Sequence, residues 1–446
     1  MRSRRRSERI TLFSFFIVTI AAGTILLQLP PAWGRAGRVV FVDALFTATS
    51  AVCVTGLITI NTADFSFWGQ LIILLLIQIG GLGIISFTTI FIIFRGRKIS
   101  LYSHNVIRAF SIRSVEFEPT RIVRQIVLLT FSIEAIGAGL LYLSFRHTLE
   151  DGALFAGIFH AVSAFCNAGF SIFPNSLESY ATHAGVSFTV MALIVLGGLG
   201  FIVFVNVGRT LSTGRGREIS YHTKIVLLMT GGLILLGMLL YYAFESGHSL
   251  RGFTVGQRLM ASLFQAITPR TAGFNTIPQN AMSFPSKLLT LPLMFIGGAP
   301  GSIAGGIKVT TIFLVLILVL RERDIYDEVS IMKRKISSQV LSDASAFTVR
   351  AFLILFLSFF LLTITENVPS GSESAGFFPL MFESFSAFGT VGLSMGVTSS
   401  LTAAGKVVII VTMFAGRVGL ISMAMGLPEK FRAHEVDYPR GEVMIG

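Results

Sequence analysis

Charge is what this chain has least of. Of 446 residues only 13% are Asp, Glu, Lys or Arg, against about 25% in an ordinary soluble domain. With 53% hydrophobic residues and a mean hydropathy of +0.76, that scarcity argues against a soluble globular domain and for a polytopic membrane protein. Cysteine is scarcer still. Cys53 and Cys166 are the only two, which leaves one disulfide open but excludes a disulfide scaffold and a thiolate zinc site. No Walker loop, metal-ligand cluster or nucleophile–base set is found, so neither ATP-driven pumping nor enzymatic chemistry is expected.

What is present is apolar and long. Residues 10–34, 65–94 and 183–208 carry no charge, and about 20 apolar residues suffice for a helix to cross the hydrocarbon core. The N-terminal "MRSRRRSER" before such a run resembles a signal peptide. The run is too long for a usual h-region and no A-x-A site follows, so it reads as a retained first span. The net charge of +12 would suit nucleic acid, but the lysines and arginines sit between the apolar runs. No nucleic-acid partner is therefore expected; the basic clusters read first as topology signals, with membrane lipid as a secondary partner. Of the loop cations, 25 fall on one side and seven on the other. The positive-inside rule then places both termini in the cytoplasm.

Polar, glycine-rich stretches interrupt the apolar runs at four places: "TSAVCVTGL" (49–57), "VSAFCNAGF" (162–170), "AITPRTAGF" (266–274) and "FSAFGTVGLSMG" (385–396). Each has an apolar run before it, a short helix-compatible segment leading in, and a second apolar run after it. A second repeat follows at similar spacing: "IGGLGIISF" from Ile79, "LGGLGFIVF" from Leu196, "IGGAPGSI" from Ile296 and "AGRVGLIS" from Ala415. The chain thus divides into four pseudo-repeated units, 1–98, 99–217, 218–335 and 336–446, the last with a cytoplasmic tail. The expected fold is an all-α polytopic membrane protein, with four span–pore helix–filter loop–span units around one pore and eight transmembrane spans in all.

Irregular backbone survives at membrane depth only where protein buries it or water meets it. Four such loops would meet on one axis, where backbone carbonyls can replace a cation's hydration shell. The candidate filter is Cys53, Val54, Thr55 and Gly56; Cys166, Asn167, Ala168 and Gly169; Arg270, Thr271, Ala272 and Gly273; and Gly389, Thr390, Val391 and Gly392. Glycine suits the last position of each because the backbone there needs a positive φ and no Cβ. Arg270 would repel a cation, so its side chain must turn away from the axis, onto carbonyls or a carboxylate behind the loop.

The third unit departs from the others. Between Lys287 and Arg321 lies a run too long for one upright helix, and its middle is Gly297, Gly298, Ala299, Pro300, Gly301, Ser302, Ile303, Ala304, Gly305 and Gly306. Glycine and proline disfavour helix there by about 1 and 3 kcal/mol per residue, so this is expected to be an intramembrane loop that partly closes the pore. Arg417 aligns with Gly81, Gly198 and Gly298 and so lies at the loop's depth. An intramembrane guanidinium must face protein or water; here it would be a barrier on the axis and a donor to the loop carbonyls. Glu134, in a first span, is expected to have a structural partner. Lys308 is expected to snorkel toward the cytoplasm, and "RERDIYDEVSIMKRK" (321–335) to form a solvated helix or a docking segment.

The sequence resembles the Trk/Ktr/HKT superfamily of cation transporters. "TPRTAGFN" (268–275), "FSAFGTVGLSMG", "GGIK" (305–308), "MFAGRVGL" (413–420) and "YPRGEV" (438–443) are similar to the Ktr-type membrane subunit in particular. The likeness implies potassium uptake across the bacterial cytoplasmic membrane and a homodimer of such chains. It also implies a cytoplasmic ring of nucleotide-binding RCK subunits as regulator. No covalent cofactor is implied, only transported K+, with Na+ as a coupling or activating ion. Glycine at position 56, where family members with serine prefer sodium, implies a potassium filter. Ile303 departs from the family's usual threonine. The alternatives are a sodium-permeable or sodium-coupled transporter of the same family, or a secondary transporter with a midplane site.

Overall fold

The computed structural model describes residues 2–35, 39–96, 119–213, 219–320, 329–332, 334–366 and 376–419. The basic residues at 97–98 and 214–217, residues 321–328 and the "YPRGEV" tail lie outside the described residues.

The first unit runs α1 (Arg2–Leu27), α2 (Phe41–Val52) and α3 (Phe67–Gly96). The second has α4 (Pro119–Phe145), α5 (Ala153–Phe165), α6 (Ala184–Leu199) and α7 (Phe201–Thr213). The third has α8 (Tyr221–Glu245), α9 (Val255–Ile267), α10 (Phe284–Phe295) and α11 (Val309–Leu320). The fourth has α12 (Ser338–Thr365), α13 (Phe377–Gly389) and α14 (Ala403–Phe414), continued by a π turn at Ala415–Gly419.

Composition separates two kinds of helix. The long first spans α1, α4, α8 and α12 are long and apolar enough to cross a membrane. They are apolar on their outer faces as well: Val18, Ile136, Leu235 and Phe356, one from each, are all more than half exposed. Such a surface is stable against lipid and not against water. The short helices α2, α5, α9 and α13 are instead buried over their C-terminal halves, in α2 from Phe46 to Val52. They are enclosed by the spans and end inside the protein. Side-chain caps start several helices: Ser220 accepts from Thr223 N at α8 and Thr402 from Gly405 N at α14, and Thr254 and Gln257 form a capping box at α9.

The units form a closed ring in chain order. Asn61 donates to Pro174 O at 2.8 Å, joining the first and second. Leu177 N donates to Asn275 O at 2.9 Å, joining the second and third. Helices α10 and α13 pack together between the third and fourth, and α14 packs on α2 to close the circle. That last seam carries an ion pair, Lys406 Nζ to Asp43 Oδ1 at 2.7 Å, with both side chains 15% exposed.

Three local expectations need correction. The second span of unit two is not continuous: α6 and α7 meet at 95° across Gly200, whose φ is +82°. The linker before α12 is not a solvated helix where it is described. It forms an antiparallel hairpin, β1 (Val329–Ile331) with β2 (Arg334–Ile336), and Arg334 lies over the Tyr221 ring at 5.8 Å. The β-branched residues of "VSI" and the left-handed Met332 (φ +47°) suit a tight hairpin better than a helix. Lys308 does not extend toward solvent: its Nζ turns back to Ala304 O at 2.5 Å, where a carbonyl in the interior replaces water.

Candidate functional site

The four glycine stretches end their helices in the same way. Cys53 and Cys166, both free and buried, cap α2 and α5 in right-handed conformation. The residue two before each glycine is then left-handed: Val54 (φ +54°), Asn167 (+56°), Thr271 (+75°) and Thr390 (+50°). Each glycine is left-handed as well: Gly56 (+90°), Gly169 (+70°), Gly273 (+76°) and Gly392 (+98°). A non-glycine residue held at positive φ costs about 1–3 kcal/mol and persists only where its surroundings over-determine it. Among the described residues there are six of these, and four stand at this one equivalent position.

The glycines also meet one another. A Cβ added at Gly56 would lie 2.3 Å from Ala168 O, at Gly169 2.7 Å from Ala272 O, at Gly273 2.2 Å from Val391 O, and at Gly392 2.4 Å from Thr55 O. The carbonyl before each glycine therefore abuts the glycine of the preceding unit, and the last returns to the first. This is a closed ring of backbone with no room for a side chain.

Serines at the pore-helix ends hold the ring, and their role was not anticipated from sequence. Ser50 Oγ accepts from Gly56 N at 3.0 Å, and Ser386 Oγ from Gly392 N at 3.1 Å. Ser163 Oγ donates to Phe170 O at 2.7 Å, and Thr268 Oγ1 to Phe274 O at 2.8 Å. The signal was a serine six residues before the glycine in three of the four stretches. The glycines of the second repeat were likewise read only as a pattern. A Cβ at Gly80 would lie 2.0 Å from Val52 O, at Gly197 1.9 Å from Phe165 O, and at Gly416 2.0 Å from Phe388 O. In three units this glycine lets the second span touch the end of its own pore helix. In the third unit Gly297 faces Gly305 O instead.

That difference marks the loop 297–306. Its base is pinched by backbone bonds, Gly297 N to Ile307 O at 2.8 Å and Ile307 N to Phe295 O at 3.1 Å, and the body reaches all three other units. Ala299 N donates to Gly198 O at 2.9 Å, Ile303 N to Gly197 O at 3.3 Å, and Phe201 N to Gly301 O at 3.3 Å. These bonds replace the helical bonds lost at the Gly200 break. Toward the first unit, a Cβ on Gly81 would lie 3.5 Å from Ile303 Cγ2; toward the fourth, one on Gly305 would lie 2.0 Å from Thr390 Oγ1. The loop thus contacts all three other units.

Three cationic side chains, Arg417, Arg270 and Lys308, donate to carbonyls of this loop. Arg417 is 2% exposed and Nη1 donates to Ile303 O, next to the carbonyl that Lys308 holds. Arg270 turns behind the ring, Nη2 toward Gly297 O at 3.4 Å and Nη1 toward Thr230 O at 3.5 Å. Glu134 accepts from Gln78 Nε2 at 3.0 Å and sits 3.8 Å from Cys166 Sγ. Among the described residues no group of three His, Cys, Asp or Glu side chains could hold a metal ion.

Outside the ring is a cavity of about 330 Å³. All four glycines line it, together with Asn61, Ser171, Asn275, Ser394 and Thr398, and among the described residues no charged side chain does.

Comparison with known proteins agrees with this architecture. Residues 3–428 match the TrkH family, described as cation transport protein, and the chain belongs to that family. It is 39% identical to Ktr system potassium uptake protein B of Bacillus subtilis, over 97% of this chain and 95% of that one. It is 37% identical to the potassium/sodium uptake protein NtpJ of Enterococcus hirae, over 100% and 99%. The fold is similar to the crystal structure of the potassium transporter TrkH from Vibrio parahaemolyticus, with TM-score 0.74, 19% identity, and coverage of 96% of this chain and 86% of that one.

Proposed function

We propose that this chain takes up potassium through a channel-like pore, with the four-glycine ring as its filter and loop 297–306 with Arg417 as its gate. The observation that carries the reading is the closed ring of backbone, built from four left-handed turns of the same form and opening outward into an uncharged cavity. Carbonyls in such a ring can take the place of water around a dehydrated cation. Directly beneath it, the loop and a guanidinium lie across the way out. The half-helices α2, α5, α9 and α13 aim their C-terminal ends, with their partial negative charge, at the ring from four sides.

The relatives named for potassium uptake support potassium as the ion, and the relative named for potassium and sodium keeps a sodium-permeable pore as the second reading. We place both termini in the cytoplasm of a bacterial cell, from the asymmetry of basic residues. The partners are a second copy of this chain, membrane lipid, and a cytoplasmic nucleotide-binding ring that acts on the gate. The test is uptake of radioactive rubidium by liposomes holding the purified chain, with potassium and sodium as competitors. Potassium is expected to compete and sodium to compete poorly. Equal competition would favour the second reading, and saturable solute uptake without rubidium flux would overturn both.

A further inference from the structure

Each first span meets the second span of its own unit through one repeated contact, and that contact aligns the spans. A Cβ added at Gly23 would lie 2.7 Å from Leu76 Cδ1, at Gly137 2.7 Å from Leu193 Cδ1, and at Gly237 3.7 Å from Leu293 Cδ1. In the fourth unit Ser358 Oγ and Thr412 Oγ1 are 2.6 Å apart. Leu76, Leu193, Leu293 and Thr412 each stand four residues before the second-repeat glycine of their unit. The residues three before Gly23, Gly137, Gly237 and Ser358 are therefore equivalent, and they are Ile20, Glu134, Ile234 and Leu355. Two before the second-repeat glycines stand Gln78, Val195, Phe295 and Phe414. At each of these positions three units are apolar. The two polar exceptions bond to each other, Gln78 Nε2 donating to Glu134 Oε2 at 3.0 Å.

That bond crosses the seam between the first two units, since Gln78 lies on α3 and Glu134, 3% exposed, on α4. Cys166, the first filter residue of the second unit, turns its thiol to the same place. Its Sγ lies 3.7 Å from Gln78 Oε1 and 3.8 Å from Glu134 Oε1. Three residues on from Gln78, a Cβ at Gly81 would lie 2.9 Å from that sulfur. One face of α3 thus offers the second unit a polar handle and a bare notch. The thiol has a single proton, and two oxygens stand ready to accept it. Cys53, the matching thiol of the first unit, is buried and makes no side-chain hydrogen bond among the described residues. A carboxyl within a span is costly in a bilayer. Three of the four units fill its place with an apolar residue, so packing alone does not call for it.

We infer that Glu134 is a positioning residue of the filter: with Gln78 it holds the Cys166 thiol, and through that thiol the second unit's turn. This rests on the reading of the ring as a potassium filter and assigns a control on its selectivity to a side chain outside the ring. Cys166 caps α5 and precedes Asn167, which is left-handed at φ +56°. The backbone there is confined on both sides, so the group that anchors the Cys166 side chain sets where the adjoining carbonyls stand.

The test is rubidium uptake by the full chain in liposomes, with potassium and sodium as competitors, beside thermal denaturation in detergent. Glu134→Leu gives the second unit the residue that the fourth has at Leu355, and is expected to lower potassium/sodium discrimination about threefold. Glu134→Gln keeps an acceptor for Gln78 and is expected to retain wild-type discrimination. Cys166→Ala should lower discrimination by the same factor as Glu134→Leu, and the double variant should be no worse than either, because both break one link. Wild-type discrimination in Glu134→Leu, with only the melting temperature moved, would make Glu134 a structural contact and overturn the inference. Losses that multiply in the double variant would overturn it as well. If Glu134→Leu is not recovered from the membrane, Gln78→Leu reads the same link from the first unit. Lowered discrimination there supports the link and wild-type discrimination overturns it. Wild-type chain that takes up no rubidium, or takes it up without discrimination, would overturn the filter and this role together. Discrimination that no variant alters would overturn this role alone.

Discussion

The ring and the layer beneath it are built from the same four units by opposite rules. In the ring each unit contributes the same turn, with left-handed backbone at the same two positions and the same glycine against the same neighbouring carbonyl. One layer lower the units diverge. The first and fourth keep a glycine on the pore-helix end, the second keeps it and then breaks at Gly200, and the third replaces that contact with its own loop. Encircling an ion takes equal shares from every side. If loop 297–306 is the gate proposed above, one segment suffices, since four such loops would compete for the same space. The other units are shaped to receive that loop: the second exposes carbonyls, the first offers the bare backbone of Gly81, and the fourth supplies Arg417.

The comparison can be broken most severely at the glycines that let spans touch pore helices. Gly416→Val places a Cβ 2.0 Å from the Phe388 carbonyl oxygen and is expected to cost ~3 kcal/mol or more. Thermal denaturation in detergent should show it as loss of monodisperse protein, and recovery equal to wild type would count against the contact. Deleting residues 299–304 should leave the ring intact and raise cation flux strongly while the potassium/sodium ratio is kept. Arg417→Gln should do so in part, since it removes the charge but keeps a donor. If loop and guanidinium act in one closed state, the double variant leaks no more than the deletion; additive leak would separate them.

Gly56→Ser acts on the ring alone. Its Cβ would lie 2.3 Å from Ala168 O, and potassium/sodium discrimination should fall about tenfold, equivalent to ~1.4 kcal/mol, with gating unchanged. Wild-type selectivity at normal expression would remove Gly56 from the narrow site. The smallest effect is expected for Ser386→Ala, which loses one bond to Gly392 N. A cost of ~1 kcal/mol is expected, read as a modest fall in melting temperature, and no change would show that the hydroxyl does not hold the turn.

The repeat was legible in the sequence because glycine has few substitutes where φ is positive and a Cβ would strike a carbonyl. The loop 297–306 was legible because glycine and proline cannot continue a helix. What escaped notice depended on partners. "IGGLG" in unit one and "LGGLG" in unit two are nearly the same string, yet α3 runs through Gly83 and the second span of unit two breaks at Gly200. A Cβ at Gly83 would meet the Phe15 ring first, whereas at Gly200 the backbone of Pro300 and Gly301 is adjacent. The difference lies in a loop a hundred residues away in sequence. The bonds of Ser50, Ser163 and Ser386 go to backbone, which local pattern does not reveal. The hairpin at 329–336 was hidden by a run of charges that would suit a solvated helix equally well.

The seam between the fourth unit and the first has a bearing on biosynthesis. Gly392 must reach Thr55 and Lys406 must reach Asp43 before the circle exists. A ribosome that has delivered the first three units has therefore placed most of the spans in the bilayer without yet making a conduit. The ring is complete only when the fourth unit docks against the first. Loop 297–306, proposed above as the gate, precedes that unit in the chain and is therefore made before the ring can close.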